Sequence, residues 1–309
     1  MNNKPRKAIL LMAYGSPDRE EDVEEYYTHI RGGRKPTPEE VKNLKSRYDV
    51  IGGRSPLLRI TNSTAKRLEE KLVKNGENVR VYAGMKHWHP FIVETFDEIS
   101  ADGVEDLVAI ALAPHYSKMS IGSYQDTARK ANSEHGDKIK INFINNWHLN
   151  PTFIKKWLER IAQAQANKFK GVERKEMFFL FSAHSLPERI LTWGDPYKTQ
   201  LLETMDKLAH ELKLEPAQYG FAFQSAGHTA EPWLGPDILD KLNDLAKDGW
   251  RQVLVIPIGF VSDHLEILYD IDVEAKELAG KLGVHLERTE SFNDSEDFIE
   301  VLASVAGRG

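Results

Sequence analysis

The chain has 309 residues, no cysteine, 28% charged residues and a net charge of −6. It has no polybasic run, which argues against a nucleic-acid partner, and AILLMA, LVAIALA and VLVIPI are far shorter than the ~18 residues of a spanning helix. Without cysteine there is no disulfide, thiolate metal site or Cys-ligated iron–sulfur cluster; the length suggests about two globular domains or one large one, expected in the cytoplasm with no stable membrane anchor.

The basic start MNNKPRK leads into AILLMA without an adequate h-region or A-x-A site, so no secretory signal is expected. From there, short apolar runs alternate with amphipathic segments. Strands are expected at 8–13, 79–85, 107–113, 140–146, 177–183, 218–224 and 253–259. Near-continuous apolar runs of this length fit parallel strands buried on both faces. Helical spacing covers 20–30, 38–49, 62–74, 90–101, 122–134, 151–165, 197–212, 235–248 and 263–281. Such alternation predicts a doubly wound α/β fold. The polar stretch QANKFKGVERK, from about 165 to 175, reads as a boundary. LLMAYGSP (10–17) resembles LFSAHSLP (180–187), with Tyr14 in the place of His184, so two similar α/β halves are expected.

Ligands of open α/β sheets bind beyond the carboxyl ends of the strands. Those ends carry Tyr14, then Lys86 and His87, then His115 and Tyr116, then His184 and Ser185, and finally Ser262, Asp263 and His264. His87 and His115 equally fit buried histidines bonded to loop backbone. No G-x-S-x-G elbow accompanies Ser185, so acyl transfer has little support. His184 and Glu266 together offer an imidazole and a carboxylate, which can bind a divalent metal without thiolate or move protons near neutral pH. Two early segments, YYTHIRGGRKP and SRYDVIGGRSPL, set arginines among tyrosines and Gly-Gly turns. Arginine forks suit carboxylates, so a flat anionic ligand fits here, as does an ordinary surface loop.

The last helical segment carries Asp263, Glu266, Asp270, Glu274 and Glu277 at steps of three or four residues. On one α-helix that spacing forms a stripe of like charges, which repel unless a counter-charge is supplied. A hard cation is one such counter-charge. A solvated acidic face is the plain alternative, with Glu266 in a capping box behind Asp263.

The runs MAYGSP, EEDVEEYYTHIRGGRKP, RYDVIGGRSPL, APHYS, SAHSLPERI, GDPY, PWLGPD and IGFVSDHLEILYDIDVEAKE, in that order over about 8–278, resemble the ferrochelatases. The resemblance is strongest to the soluble coproporphyrin III branch typical of Gram-positive bacteria. It implies two Rossmann-like, chelatase-type domains with parallel sheets flanked by helices and an active cleft between them. Domains are expected at 1–165, carrying the porphyrin loop, and 166–285, carrying the metal-site residues, with 286–309 packing back on the first.

By the same resemblance the reaction is insertion of Fe2+, a substrate, into coproporphyrin III in haem synthesis. A protoporphyrin IX ferrochelatase and a non-catalytic porphyrin or haem carrier stay open. His184 and Glu266 match the inner metal and catalytic pair. Asp270 and Glu274 match an outer cation site that also suits Mg2+. Tyr14, Arg31, Arg47, Tyr48, Ser55 and Tyr124 match porphyrin contacts, with His87, His115 and Asp263 as further candidates, and Tyr14 favours coproporphyrin. No organic cofactor is implied, and the protein is expected to be a monomer that passes its product to a later haem-pathway enzyme. The chain departs from the Gram-positive pattern at Phe223, Ala226 and His89, where Trp, Glu and an acidic residue are usual, and its C-terminal Y-R-P motif is reduced to Leu286-Glu287-Arg288-Thr289.

Overall fold

The computed structural model describes residues 7–227 and 229–307. It forms two compact units. The first holds the described residues up to Trp147, together with Ser262–His264 and those from Phe292 onward; the second holds His148–Val261 and Leu265–Ser291.

The first unit contains one parallel sheet: β1 (Lys7–Ala13), β2 (Val79–Met85), β3 (Asp106–Ala111) and β4 (Lys140–Ile144), in the order β2-β1-β3-β4. The second unit repeats the topology with β5 (Met177–His184), β6 (Tyr219–Gln224), β7 (Gln252–Ile256) and β8 (His285–Arg288), in the order β6-β5-β7-β8. Helices flank each sheet, as the alternating sequence predicts. β1 and β5 are therefore equivalent, and so are Tyr14 just after β1 and His184 at the end of β5. The resemblance of LLMAYGSP to LFSAHSLP thus corresponds to equal places in two copies of one topology.

Each sheet packs its own core. Leu10, Met12, Phe96, Ile99, Leu107 and Ala109 belong to one buried cluster; Leu180, Leu242, Val253, Val255, Ile267 and Ile271 belong to the other. Burying a side chain of Leu, Ile or Phe size contributes about 1.5–3 kcal/mol. Local signals start the helices. At Pro38–Val50, Thr37 Oγ1 accepts from the Glu40 amide at 3.2 Å and Glu40 answers the Thr37 amide at 2.7 Å, with Pro38 at the first position.

Two elements are additional to those expected from sequence, and one expected helix lies in a different unit; the last element packs where the C-terminal segment was expected to. β8 is an extra strand; it is a four-residue edge with only Leu286 buried, too short for a periodic signal. The helix expected to close the first domain, Pro151–Lys168, lies in the second unit, where it packs on the helix Tyr197–Leu212 and on β7. A last helix, Glu296–Ala306, packs in the first unit on the helix Leu57–Lys74, and Lys71 Nζ reaches Glu296 at 3.0 Å. Among the described residues no helix is long and apolar enough to cross a membrane.

Candidate active site

In the second unit, β5 ends at His184, which faces Gln224 of β6 in register. The chain leaving β7 passes close to this end. A Cβ on Gly259 would stand 2.5 Å from Ala183 Cβ, so only glycine lets the backbone through. A few residues later the chain forms a helix over Leu265–Leu268 that carries Glu266.

His184 Nε2 lies 3.4 Å from Glu266 Oε1. Its Nδ1 faces the Ser185 carbonyl, and its own carbonyl accepts from the Tyr197 hydroxyl at 3.0 Å. Trp233 and Phe260 flank the imidazole at ring distances of 6.5 and 6.4 Å. Burial disfavours the charged imidazole, but the Glu266 carboxylate, aided by the Ser185 carbonyl, outweighs it and lifts the His184 pKa to about 9. Burial and then the Glu266 charge push the Tyr197 phenol upward, which keeps it a neutral donor.

The carboxylate stripe does not run along a single α-helix. An α-turn over Leu265–Leu268 gives way to a π-helix over Asp270–Ala275, then to α-helix over Lys276–Lys281. The Glu274 amide bonds the Tyr269 carbonyl, an i to i+5 link, at 2.9 Å. A wider turn counters the drift that steps of four residues accumulate on an α-helix. Asp270 is buried and accepts from Ser225 Oγ, whereas Glu274 and Glu277 are exposed. Asp272 is taken by Arg288, whose Nε and Nη2 bond its two oxygens at 2.7 and 2.8 Å. Among the described residues no three His, Asp or Glu side chains converge as a ready metal cage. A cation at the His184–Glu266 pair would complete its shell from water or substrate.

The remaining candidates lie in the first unit. Tyr14 is exposed just past β1, its ring 4.6 Å from that of His87, whose amide bonds the Tyr14 carbonyl at 2.8 Å. Burial, with smaller contributions from His29 and Lys86, lowers the His87 pKa to about 4 and keeps the ring neutral. Gly15, at φ +96°, seats the turn here; a Cβ would lie 2.9 Å from the Trp88 amide. Arg31 pairs with Glu40 at 2.7 Å and lies over the Tyr27 ring. Arg47 is half-buried and Tyr48 buried on one helix, and Ser55, two residues before the next helix, accepts from the Leu57 amide at 3.2 Å. Tyr124 belongs to the core cluster and His115 is buried. Asp263 bonds Asn293 through both its amide and its carboxylate, each at 2.8 Å.

Gln224, Ser225 and Tyr197 escape a reading of the sequence that stops at His184. The same strand-end rule, applied to β6, would have found the first two.

Sequence comparison adds an independent line. A ferrochelatase family model matches residues 6–308. A ferrochelatase of Herpetosiphon aurantiacus is 47% identical over 97% of this chain and 98% of its own. A coproporphyrin III ferrochelatase of Geobacillus kaustophilus is 44% identical over 98% of this chain and 95% of its own. Among solved structures, SirB from Bacillus subtilis with Fe3+ superposes with a TM-score of 0.59 at 13% identity, covering 98% of this chain and 94% of that one, a likeness of fold alone.

Proposed function

This chain belongs to the ferrochelatase family, and on that premise we propose that it inserts Fe2+ into coproporphyrin III, with His184 and Glu266 at the metal. The 3.4 Å pairing of His184 with Glu266 at the end of β5 carries this reading. Full-length similarity to several coproporphyrin III ferrochelatases supports the choice of porphyrin.

The reaction takes a free-base porphyrin and Fe2+ to an iron porphyrin and two protons. The ring must lose both pyrrole protons and the ion its waters. Glu266 faces a protonated His184, so the pair starts with one proton held between them. That proton leaves as the cation arrives, because an imidazolium has no free lone pair for a metal. The freed pair lies on one side of the macrocycle, where it would hold the entering ion and, as the ion passes to the ring nitrogens, would take up the two displaced pyrrole protons and release them to water. Tyr197 stays neutral and anchors the His184 carbonyl, which limits movement of the ring.

Arg31, Arg47, Tyr48, Ser55, Tyr124 and Tyr14 are assigned to porphyrin contact, with Arg31 taking a propionate. Coproporphyrin carries four propionates, and charge-assisted bonds to arginine fix its orientation. Asp270 and Glu274 are assigned to a hydrated cation, Mg2+ included. The same reading makes the protein a cytoplasmic monomer whose product passes to a later enzyme of haem synthesis.

Anaerobic Fe2+ insertion, followed by absorbance with coproporphyrin III and protoporphyrin IX in parallel, tests the proposal. Coproporphyrin III should be the better substrate. Equal or higher turnover with protoporphyrin IX would overturn the porphyrin assignment, and porphyrin binding without insertion would make the protein a carrier.

A further inference from the structure

β6 ends at Gln224 with Ser225 just beyond it, and the chemistry proposed above uses neither side chain. Gln224 is fully buried. Its Oε1 accepts from Ser182 Oγ at 3.0 Å, and its Nε2 donates to the Glu266 carbonyl at 3.0 Å. Its own carbonyl accepts from the Ser185 amide at 2.7 Å. One residue thus grips the backbone on both sides of the His184–Glu266 pair.

Ser225 follows with φ +59°, in the left-handed region that favours glycine. From there its hydroxyl donates to the buried Asp270 carboxylate. A backbone cost of this kind persists only where the surroundings hold it, and a buried carboxylate needs such a donor.

We propose that Gln224–Ser225 is a two-point clamp, a pair of positioning residues that sets Glu266 and Asp270 relative to His184. Gln224 fixes the α-turn that bears Glu266. Ser225 fixes the first residue of the π-helix one turn further on. The clamp thereby ties the point where the helix widens to the end of β6, and so aligns the inner carboxylate with the outer one. This inference rests on the metal-insertion reading of the site.

The test measures steady-state insertion of Fe2+ into coproporphyrin III, varying metal and porphyrin separately, with thermal melts of each variant. Ser225→Ala removes the hydroxyl; Ser225→Gly removes it and also relieves the backbone. Both should raise the metal KM about tenfold, as loss of a partner behind a metal ligand typically does, with a smaller effect on porphyrin KM. Ser225→Gly should melt higher than Ser225→Ala and show the same raised metal KM; a purely structural serine would instead be rescued by glycine. Gln224→Met keeps the volume but can neither accept from Ser182 nor donate to the Glu266 carbonyl, and should lower kcat about tenfold. If it does not fold, Ser182→Ala loosens the same side chain, with a smaller drop in kcat expected. A metal KM within about twofold of wild type in both Ser225 variants, rescue by glycine, or a wild-type kcat in Gln224→Met overturns the clamp. Failure of the unaltered protein to insert metal in this assay would remove the underlying reading instead.

Discussion

His184 Nε2 stands 3.4 Å from Glu266 Oε1, while its Nδ1 faces the Ser185 carbonyl, so both imidazole nitrogens point at oxygen acceptors. Only the doubly protonated ring can donate to both. The geometry and the elevated pKa are therefore one observation.

That proton sets a pH dependence. A histidine raised from about 6.5 to about 9 adds stability fully below the lower value and loses it as pH rises through the upper one. The melting-temperature difference between wild type and His184→Gln should be largest near pH 6 and vanish near pH 10. Metal affinity should move the opposite way, strengthening as pH rises towards 9, with close to one proton released per metal bound. Calorimetry of Co2+ binding in buffers of different ionisation enthalpy checks both the slope and the proton count.

His184→Ala should abolish insertion and leave porphyrin binding in place, because the porphyrin contacts are assigned to other residues. Fluorescence quenching of coproporphyrin III measures binding, and the absorbance change measures insertion. Near-wild-type turnover would sink the assignment of His184 to the metal.

Glu274 is exposed on the π-helix, one turn beyond the buried Asp270. Glu274→Ala should therefore alter the metal dependence, or the response to Mg2+, more than kcat at saturating metal. An unchanged metal profile would make the outer carboxylates purely structural.

Arg31 is held by Glu40 at 2.7 Å, and the guanidinium, with the Thr37 amide, draws the Glu40 pKa down to about 2. The side chain is thus preset beside its helix before any propionate arrives. Arg31→Leu should raise the porphyrin KM by roughly 10- to 100-fold, the range a charge-assisted hydrogen bond supplies, and leave the metal KM nearly unchanged. Equal losses in both would point to a collapse of the loop instead.

Gly259 has no room for a side chain, since its Cβ would meet Ala183 Cβ at 2.5 Å. Gly259→Ala should cost about 1–3 kcal/mol from overpacking and displace His184, the next residue along β5. The double variant Ala183→Gly/Gly259→Ala moves the same methyl across the contact and should recover most of the melting temperature. If it recovers stability without activity, the exact position of the β5 end matters to the chemistry.

Much of the fold was legible because buried parallel strands leave a strong signature. Most of the strands are near-continuous apolar runs such as MFFLFSA and VLVIPI, and the central strands β1, β5 and β7 are buried almost throughout. β8 was missed because an edge strand of four residues with one buried side chain carries no such run. His184 and Glu266 could be named as a candidate pair because strand ends concentrate polar groups and the motifs around them are specific; that they stand 3.4 Å apart came only with the structure. The carboxylate stripe was only half legible: its residues could be named, but steps of three and four say nothing of an i to i+5 bond between Tyr269 and Glu274.

The sequence alone therefore determined the fold class, the family and the identities of the chemical groups, since these follow from apolar periodicity and local motifs. Tertiary structure decided their state and alignment. Folding brings Glu266 against His184 and so makes the imidazole a held proton. It gives Asp272 to Arg288 rather than to a cation, and it sets Gln224 and Ser225 behind the two carboxylates. These are contacts between residues distant along the chain, and a pKa or a hydrogen bond depends on such neighbours and on burial, neither of which a local pattern encodes.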